Sequence, residues 1–331
     1  MSILQQLITR AQAAPGRIVL TEGEDARIIT AGVKLTADKI ATITLLGDTD
    51  VITAQAANLG LSLDGITLIN PLQSELRQPL ADLLQQLRAK KGMTAEQAYE
   101  LTGQTLWFAN LLVKAGHQDG VVSGAIHTTG DVVRTAIQVI GVDKAFSMIS
   151  SFFLMVMDQP HHPRAGGMVF SDCGLVIEPD AAQLADIASA AANSYQSLSG
   201  EAAKVAMLSF STQGSASHPA VDKVVEATRL LKATRPELSV DGEVQLDAAI
   251  VPSIAARKVK DSAVNGEANV LVFPSLEAGN IGYKLVERFS GAKAIGPLLQ
   301  GLAQPANDLS RGCSADDVYY VATVTVVQGQ R

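Results

Sequence analysis

Apolar runs of two different periods alternate along the first 144 residues. Short runs bounded by glycine or polar residues predict strands, and apolar positions at helical spacing predict helices. The predicted strands are residues 17–20, 42–46, 66–69 and 120–124. The predicted helices are residues 1–14, 26–37, 50–59, 74–90, 94–115 and 129–140. This alternation is typical of a doubly wound α/β fold.

The pattern changes near residues 141–144. A long apolar stretch over 145–157, a turn at Pro160-His161-His162-Pro163 and a run over 167–171 predict an antiparallel hairpin that opens a second domain. Alternation then resumes. The predicted elements are helices over 181–197, 221–232, 247–258, 277–289 and 314–327, strands over 204–210 and 269–273, a loop at Asp241-Gly242, and a connection over 296–304.

Length and composition favour buried α/β cores. A chain of 331 residues is too long for one ordinary core, so two domains are expected. Hydrophobic residues make up 47% of the chain and aromatic residues only 4%, so Ala, Val, Ile and Leu must build the core, as in sheets covered on both faces. The last helix is expected to return to the first domain.

The charge and the cysteines narrow the class of protein. A net charge of −7 argues against a nucleic-acid-binding surface. Two cysteines predict a reducing compartment without a disulfide framework. Residues 1–14 lack the apolar core of a signal peptide, and the apolar run at 152–157 is too short to span a bilayer. A soluble cytoplasmic protein is therefore expected.

The most informative stretch runs from Asn307 to Asp317. Within it, the Ser310 hydroxyl can accept hydrogen bonds from backbone N–H groups, and the Arg311 guanidinium is suited to bind an oxyanion or a phosphate. The stretch ends in carboxylates, and a carboxylate one turn into a helix can act as a base beside such an anion site. Helix capping alone would require one such residue, not all of them.

Three other predicted strand ends carry polar residues. Small residues and hydroxyls at the ends of parallel strands suit anion binding, but a plain turn or polar loop explains the first two segments equally well. The third segment favours anion binding. The candidates are Thr128 and Arg134 in the first segment, Ser211 in the second, and Tyr283 and Lys284 in the third.

Several common motifs are missing from the sequence. There is no G-x-G-x-x-G after a strand, no P-loop and no G-x-S-x-G elbow, and the five histidines lack zinc-ligand spacing. Cys313 is interpreted as a small semi-buried residue because no histidine is near it in sequence. Arg88 ends a helix in a short basic cluster, where it either complements the helix dipole or contacts cofactor phosphates.

The whole chain resembles phosphate acetyltransferase (phosphotransacetylase) in its compact form, without an additional N-terminal regulatory region. The run from Pro305 to Gly312 is the most specific part of this resemblance. The other matching segments are residues 91–94, 123–134, 205–209, 241–243, 273–284 and 296–314.

The resemblance implies two α/β domains like those of isocitrate and isopropylmalate dehydrogenases, with the active site in the interdomain cleft. The expected first domain is discontinuous and comprises residues 1–144 plus 298–331, and the second comprises residues 145–297. A homodimer is also implied. The implied reaction exchanges an acetyl group between acetyl phosphate and coenzyme A, which is a substrate; no tightly bound cofactor and no metal are expected.

Roles for individual residues follow from the resemblance. Asp317 would deprotonate the coenzyme A thiol, Ser310 would bond the tetrahedral oxyanion or the departing phosphate, and Arg311 would hold the phosphoryl group. Arg134 would bind phosphate or coenzyme A, and Arg88 would contact coenzyme A. Direct transfer without an acyl-enzyme would make Cys313 dispensable. Thr128, Ser211, Tyr283 and Lys284 are added as substrate-binding residues from the strand-end argument alone.

Three alternatives remain open at this point. A phosphate butyryltransferase would use a longer acyl group in the same architecture. A dehydrogenase of the same general fold would need an aspartate cluster for a metal and a nicotinamide pocket, and the spacing assembles neither. A non-catalytic binding protein would have no need for the base Asp317.

Overall fold

The computed structural model describes residues 2–157 and 166–330. It divides into two compact units. The first unit contains Leu4–Asp143 and Leu302–Arg331, and the second contains Met1–Ile3 and Lys144–Gly301. The first unit is therefore built from both ends of the chain, and the second is almost entirely the segment between them.

Strands and helices are numbered in chain order. The strands are β1 (Gly16–Leu20), β2 (Ala41–Leu46), β3 (Thr67–Ile69), β4 (Gly120–Ser123), β5 (Ser150–Met157), β6 (Gly166–Ser171), β7 (Lys204–Leu208), β8 (Ser239–Val244), β9 (Val270–Val272), β10 (Lys293–Gln300) and β11 (Ala306–Asp308). The helices are α1 (Ile3–Ala13), α2 (Ala26–Ala37), α3 (Thr49–Asn58), α4 (Arg77–Arg88), α5 (Ala95–Thr102), α6 (Thr105–Lys114), α7 (Thr129–Val139), α8 (Ala181–Ser199), α9 (Pro219–Thr234), α10 (Leu246–Ile250), α11 (Pro252–Lys258), α12 (Leu276–Ser290) and α13 (Ala315–Gly329).

The first unit is organised around a five-stranded parallel sheet in the order β11-β4-β1-β2-β3. Helix α13 packs against α2, β1 and β4, and nearly all of its residues from Val318 to Val327 are buried. It approaches β4 so closely that a Cβ on Gly120 would lie 2.5 Å from Thr325 Cγ2. The last helix thereby covers the strands that carry the candidate site.

The second unit contains a six-stranded mixed sheet in the order β10-β5-β6-β9-β7-β8. Strands β10, β5 and β6 pair antiparallel, and β6, β9, β7 and β8 pair parallel. Phe153, Met155, Phe170 and Leu271 belong to the apolar core on this sheet. The Ala-rich helix α8 packs on β6, β9 and β7.

Most predicted elements are confirmed within one to a few residues, including the antiparallel pairing of β5 with β6. The long strand begins at Ser150, later than the predicted 145. The turn predicted at Pro160-His161-His162-Pro163 lies outside the described residues.

The predicted loop at Asp241-Gly242 is wrong, because both residues lie inside β8. Asp241 is buried and accepts hydrogen bonds from the Ser262 hydroxyl and the N–H groups of Ala263 and Val264. Gly242 is packed so tightly that a Cβ there would lie 2.4 Å from Thr228 Oγ1. Asp241 is therefore present because it bonds a distant loop, and Gly242 because the packing leaves no room for a side chain; neither residue marks a turn.

Other corrections concern strand ends and helix breaks. The connection predicted over 296–304 is wrong, because residues up to Gln300 form β10 on β5, with a register shift between Ile295 and Leu298. Strand β11 was not predicted. The helix predicted over 94–115 is divided into α5 and α6, and the one over 247–258 into α10 and α11, where Pro252 begins the second helix.

None of the helices in residues 2–157 and 166–330 combines the length and the apolar character needed to cross a membrane.

Candidate active site

The candidate site lies at the carboxyl edge of the first unit's sheet. Strand β11 pairs parallel with β4, with Asp308 opposite Ser123. The chain therefore leaves both strands at the same edge, where open α/β sheets bind ligands. The two departing segments are the turn into α7 and the loop that carries Ser310 and Arg311.

Gly124 allows these two segments to touch. Its φ is +110°, and a Cβ at this position would lie 2.2 Å from Asp308 Oδ1 and 2.7 Å from the Leu309 nitrogen. Any other residue would clash and also adopt an unfavourable backbone conformation. The motif Ser123-Gly124-Ala125 thus fixes the contact between the strand ends.

A pocket of about 570 Å³ opens where the two segments meet. It brings together two segments that the sequence analysis predicted separately, one with Thr128 and the other with Ser310 and Arg311. Ser310 and Arg311 are both exposed. The full lining is His127, Thr128, Thr129, Gly130, Leu309, Ser310 and Arg311.

Helix α7 begins in the wall of this pocket. Thr128 is its N-cap, and the Thr128 hydroxyl accepts from the Asp131 N–H and donates to the Asp131 carboxylate. A helix N-terminus presents N–H groups that have no acceptor within the helix, and it favours a bound anion. The pocket is thus suited to a phosphate group. The alternative interpretation of Thr128 as a plain cap is also correct, because its hydroxyl is used in that way.

Two buried carboxyl groups lie behind the pocket. The first is Glu22, at the end of β1, whose Oε1 accepts from the N–H groups of Gly124 (2.8 Å), Ile126 (3.1 Å) and His127 (3.2 Å). The His127 ring contacts the same oxygen through Nδ1 at 2.8 Å. Burial raises the pKa of Glu22, but these hydrogen bonds outweigh it and hold the pKa below its ordinary value.

The second is Asp308, at the end of β11, which is fully buried. Its Oδ2 accepts from the Thr129 hydroxyl at 2.6 Å, and its Oδ1 is buried with no hydrogen-bond partner in the described part of the chain. Burial raises the pKa of Asp308 to about 7. The two carboxyl groups therefore differ: Glu22 is held as a carboxylate, and Asp308 takes up a proton near neutral pH.

Arg27 ties the segments of the site together. Its guanidinium donates from Nη1 to the carbonyl oxygens of Arg311 (2.8 Å) and Cys313 (3.0 Å), and from Nη2 to that of Ala125 (2.9 Å). Asp25, the N-cap of α2, accepts from Nε and Nη2 and holds the guanidinium in place. The hydrogen bond from Arg27 lowers the pKa of Asp25.

Asp317 occupies the first turn of α13. It forms a reciprocal capping box with Ser314, in which Asp317 Oδ2 accepts from the Ser314 nitrogen and hydroxyl, both at 2.8 Å. It is not among the pocket's lining residues. Cys313 is buried, and burial raises its pKa to about 11, so its sulfur is a neutral thiol.

The two other arginines that the sequence analysis predicted as ligands, Arg134 and Arg88, differ in their surroundings. Arg134 lies on α7 and pairs with Asp131 at 2.8 Å, and a Cβ on Gly130 would lie 3.9 Å from Arg134 Nη2. Its guanidinium is therefore next to the pocket wall. Arg88 ends α4 and is not among the lining residues, and its Nε is buried with no partner among the residues described.

The second unit carries the remaining predicted residues. Ser211 is fully buried and donates to Glu243 Oε1 at 2.8 Å, so its surroundings give no support to a substrate-binding role. Tyr283 is stacked on Phe153 with ring centroids 3.9 Å apart, and burial raises its pKa to about 12. Lys284 is exposed on the same helix, α12.

The sequence analysis missed Glu22, Arg27 and His127. Glu22 directly follows β1, so its place at the carboxyl edge of the sheet was a usable signal. Arg27 gave no such signal, because the carbonyl groups that it binds lie 98 to 286 positions away. His127 was considered only as a zinc ligand, and its hydrogen bond to Glu22 depends on the pairing of β4 with β1.

Comparison with known proteins places the chain in a family. The family model described as phosphate acetyl/butaryl transferase matches residues 2–326, and the chain belongs to this family. The chain is therefore an acyltransferase of this class. The phosphate acetyltransferase of Acetivibrio thermocellus is 44% identical over 330 residues, covering 100% of this chain and 99% of the relative. That of Paracoccus denitrificans is 45% identical and covers 99% of both chains.

Solved structures agree with this placement. The EutD phosphotransacetylase from Staphylococcus aureus superposes with a TM-score of 0.91 at 44% identity and covers 99% of this chain and 98% of its own. A phosphotransacetylase from Streptococcus pyogenes gives a TM-score of 0.92 at 40% identity, with the same coverage. A branched-chain phosphotransacylase from Enterococcus faecalis shares the fold, with a TM-score of 0.68 at 19% identity.

Proposed function

We propose that this chain is a phosphate acetyltransferase that transfers an acetyl group reversibly between acetyl phosphate and coenzyme A. The observation that carries this proposal is the 44% identity to a phosphate acetyltransferase over the whole chain, joined to a pocket in which Ser310 and Arg311 meet a helix N-terminus. Such a pocket fits the phosphoryl end of acetyl phosphate. Coenzyme A is a substrate here, and no tightly bound cofactor is invoked.

The phosphoryl group is assigned to Arg311 and the start of α7. An exposed guanidinium can bind two phosphate oxygens at once, and the helix N-terminus adds N–H donors and a favourable dipole. Thr128 contributes mainly by capping this helix, and Arg134 lies close enough to Gly130 to bind a second phosphate.

Ser310 and Asp317 are assigned to the chemical step. Ser310 is exposed in the pocket lining, where its hydroxyl can stabilise the oxyanion of the tetrahedral intermediate. Within the described part of the chain, Ser314 donates both of its hydrogen bonds to Oδ2 of Asp317, and Oδ1 is the atom proposed to receive the proton of the thiol. The thiolate would attack the acetyl carbon directly, with no acyl-enzyme and no metal.

Coenzyme A is assigned to the basic residues outside the pocket. Arg88 ends α4 next to Lys90 and Lys91, and this short basic cluster supports its proposed contact with the phosphates of coenzyme A. Lys284 and Tyr283 remain proposed substrate contacts of the second unit, and Ser211 is the weakest of the set because its hydroxyl is buried.

We further propose a cytoplasmic homodimer. Helix α12 exposes an apolar row of Ile281, Leu285 and Phe289, which are 56%, 50% and 86% accessible, and a second copy would cover such a row. Light scattering of the purified protein tests the dimer: the mass of a single chain would refute it. A cytoplasmic location agrees with two cysteines that are not paired with each other.

The reaction is tested by following thioester formation from acetyl phosphate and coenzyme A. We expect acetyl-CoA to form in proportion to the enzyme and the thioester to be consumed when phosphate is added in excess. A folded protein that forms no acetyl-CoA would refute the proposed function.

The alternative substrate within the family is a longer acyl phosphate. The family description names both acetyl and butaryl transfer, and the 40–46% identical relatives are phosphate acetyltransferases or phosphotransacetylases. Comparing kcat/KM for acetyl phosphate and butyryl phosphate decides between them, and we expect acetyl phosphate to be preferred.

A further inference from the structure

His127 is a chemically active side chain of the pocket to which the proposed function gives no task. Its ring is one-third exposed and lies in the lining with Ser310 and Arg311. Histidine is the side chain that most often moves a proton near neutral pH. Its surroundings therefore decide whether it only supports the loop or takes part in the reaction.

The hydrogen bond to Glu22 fixes which nitrogen carries a proton. Glu22 Oε1 also accepts three backbone N–H groups, and the Glu22 side chain is only 2% exposed. A carboxylate in this position can only accept, so Nδ1 of His127 is the donor at 2.8 Å. Proton uptake and release by the ring are then confined to Nε2.

The loop does not need the imidazole for its shape. The N–H groups of Gly124, Ile126 and His127 already bind Glu22 through the backbone, so the conformation of the turn is fixed without a side chain. The ring is an additional contact, and its Nε2 is at the opposite side from the buried carboxylate. A carboxylate that orients an imidazole in this way is a recurring arrangement in acid–base catalysis.

The proposed reaction also lacks a proton donor. When acetyl phosphate is cleaved at the acetyl carbon, the departing group without a proton is the phosphate trianion, a very strong base. A donor at the bridging oxygen would lower this barrier. Ser310 is occupied with the oxyanion, and a guanidinium stays protonated in proteins.

We propose that His127 protonates the phosphate group as it leaves and that Glu22 positions the His127 ring; this proposal rests on the proposed function. The sulfur of coenzyme A bonds to the acetyl carbon while the bond from that carbon to the bridging oxygen breaks. The thiol proton passes to Asp317 and the Nε2 proton of His127 passes to the bridging oxygen. The products are the thioester and hydrogen phosphate; afterwards Asp317 loses a proton to water and His127 gains one.

Two substitutions of His127 separate proton transfer from hydrogen bonding. Asn places an amide N–H near the position of Nδ1, so His127→Asn keeps the donor to Glu22 and removes Nε2. Gln places an amide N–H near the position of Nε2, so His127→Gln keeps a hydrogen-bond donor that cannot give up a proton. His117, exposed in the loop after α6, provides the matched control His117→Gln.

We expect kcat for acetyl-CoA formation to fall by about 100- to 10,000-fold in both His127 variants, with KM for coenzyme A and the melting temperature close to native. Native kcat in His127→Gln alone would show that a hydrogen bond suffices and would overturn proton transfer. Native kcat in both would remove His127 from the reaction. If the proposed function is wrong, the native protein itself forms no acetyl-CoA. Activity in the native protein and in His117→Gln therefore shows that a loss in the His127 variants concerns His127 alone.

Discussion

The Nη1 atom of Arg27 lies 2.8 Å from the carbonyl oxygen of Arg311, although 284 positions separate the two residues. The same guanidinium binds the carbonyl oxygens of Cys313 and Ala125, so one side chain joins the loops that follow β11 and β4. The Arg311 side chain is exposed. Arg27 therefore holds Arg311 in position through its backbone carbonyl group and not through its side chain.

Replacing Arg27 should disturb the site without removing any predicted substrate contact. A displacement of about 1 Å in a positioned group can reduce a rate about 100-fold, so we expect Arg27→Lys to lower kcat by about 10- to 100-fold, because an ammonium cannot make the forked contacts. Arg229→Gln on α9, which removes an exposed pair with Glu226, is the control. Steady-state kinetics measures kcat, and circular dichroism confirms that each variant is folded. A native kcat in folded Arg27→Lys would show that the contacts of Arg27 do not position the site.

Asp316 provides a control for the proposed catalytic role of its neighbour Asp317. Asp316 is also an acidic residue in the first turn of α13, but it is exposed and takes no part in the capping box. We expect Asp317→Asn to lose about 100- to 10,000-fold in kcat while Asp316→Asn stays near native. Equal rates in the two folded variants would exclude Asp317 as the base.

Arg311 and Arg88 are expected to affect different substrates. Arg311→Ala should raise KM for acetyl phosphate at least tenfold, because a charge-assisted contact to phosphate is worth about 1.5 to 3 kcal/mol, and should change KM for coenzyme A little. Arg88→Ala should show the opposite pattern. Initial rates at varied concentrations of each substrate test this; the same pattern in both variants would refute the assignment.

Cys313 should be dispensable for chemistry. Its pKa is raised to about 11 by burial, so the reactive thiolate is scarce at neutral pH. We expect Cys313→Ala to retain kcat within a few-fold, with a small loss of thermal stability from the buried sulfur. A loss of 100-fold or more in the folded variant would require a covalent intermediate on this residue.

The buried carboxyl of Asp308 should make stability depend on pH. Because its pKa is raised to about 7 in the folded protein, the folded state binds a proton that the unfolded state has released between about pH 4 and pH 7. This contribution to stability therefore decreases as pH rises through that window, by up to about 4 kcal/mol.

Asn at this position has no such dependence. We expect the melting temperature of Asp308→Asn, relative to native, to increase between pH 5 and pH 8, and the exposed Asp64→Asn to show no such change. Glu22 has the opposite pH dependence, but it is common to both proteins and cancels in the difference. A difference that stays constant with pH would mean that Asp308 is charged throughout.

The sequence predicted what local patterns determine. Helix α2 and strand β1 follow from periodicity. Ser310 and Arg311 were chosen from the stretch before the last helix and Thr128 from the end of β4, and all three line one pocket. Strand β11 was missed because three residues carry too little pattern, and its pairing with β4 is set by a partner far away in sequence.

The contacts of the supporting groups could not be predicted for the same reason. Arg27 donates to backbone carbonyl groups, Glu22 accepts from backbone N–H groups, and Asp308 accepts from the Thr129 hydroxyl. These partners are all distant in sequence, although the position of Glu22 directly after β1 was a usable local signal. The prediction of a loop at Asp241-Gly242 was wrong for a related reason. Polar and small residues usually indicate a turn, but here the Asp241 carboxylate is satisfied by residues 262–264 and lies inside a strand.

The division of the first unit between the two ends of the chain has a consequence for synthesis. Strand β11 and helix α13 are translated only after residues 144–301 of the second unit have been made. Until then β4 is an open edge, and the apolar surface that α13 covers faces water. The second unit is therefore available for folding before the pocket between the β4 and β11 strand ends can form.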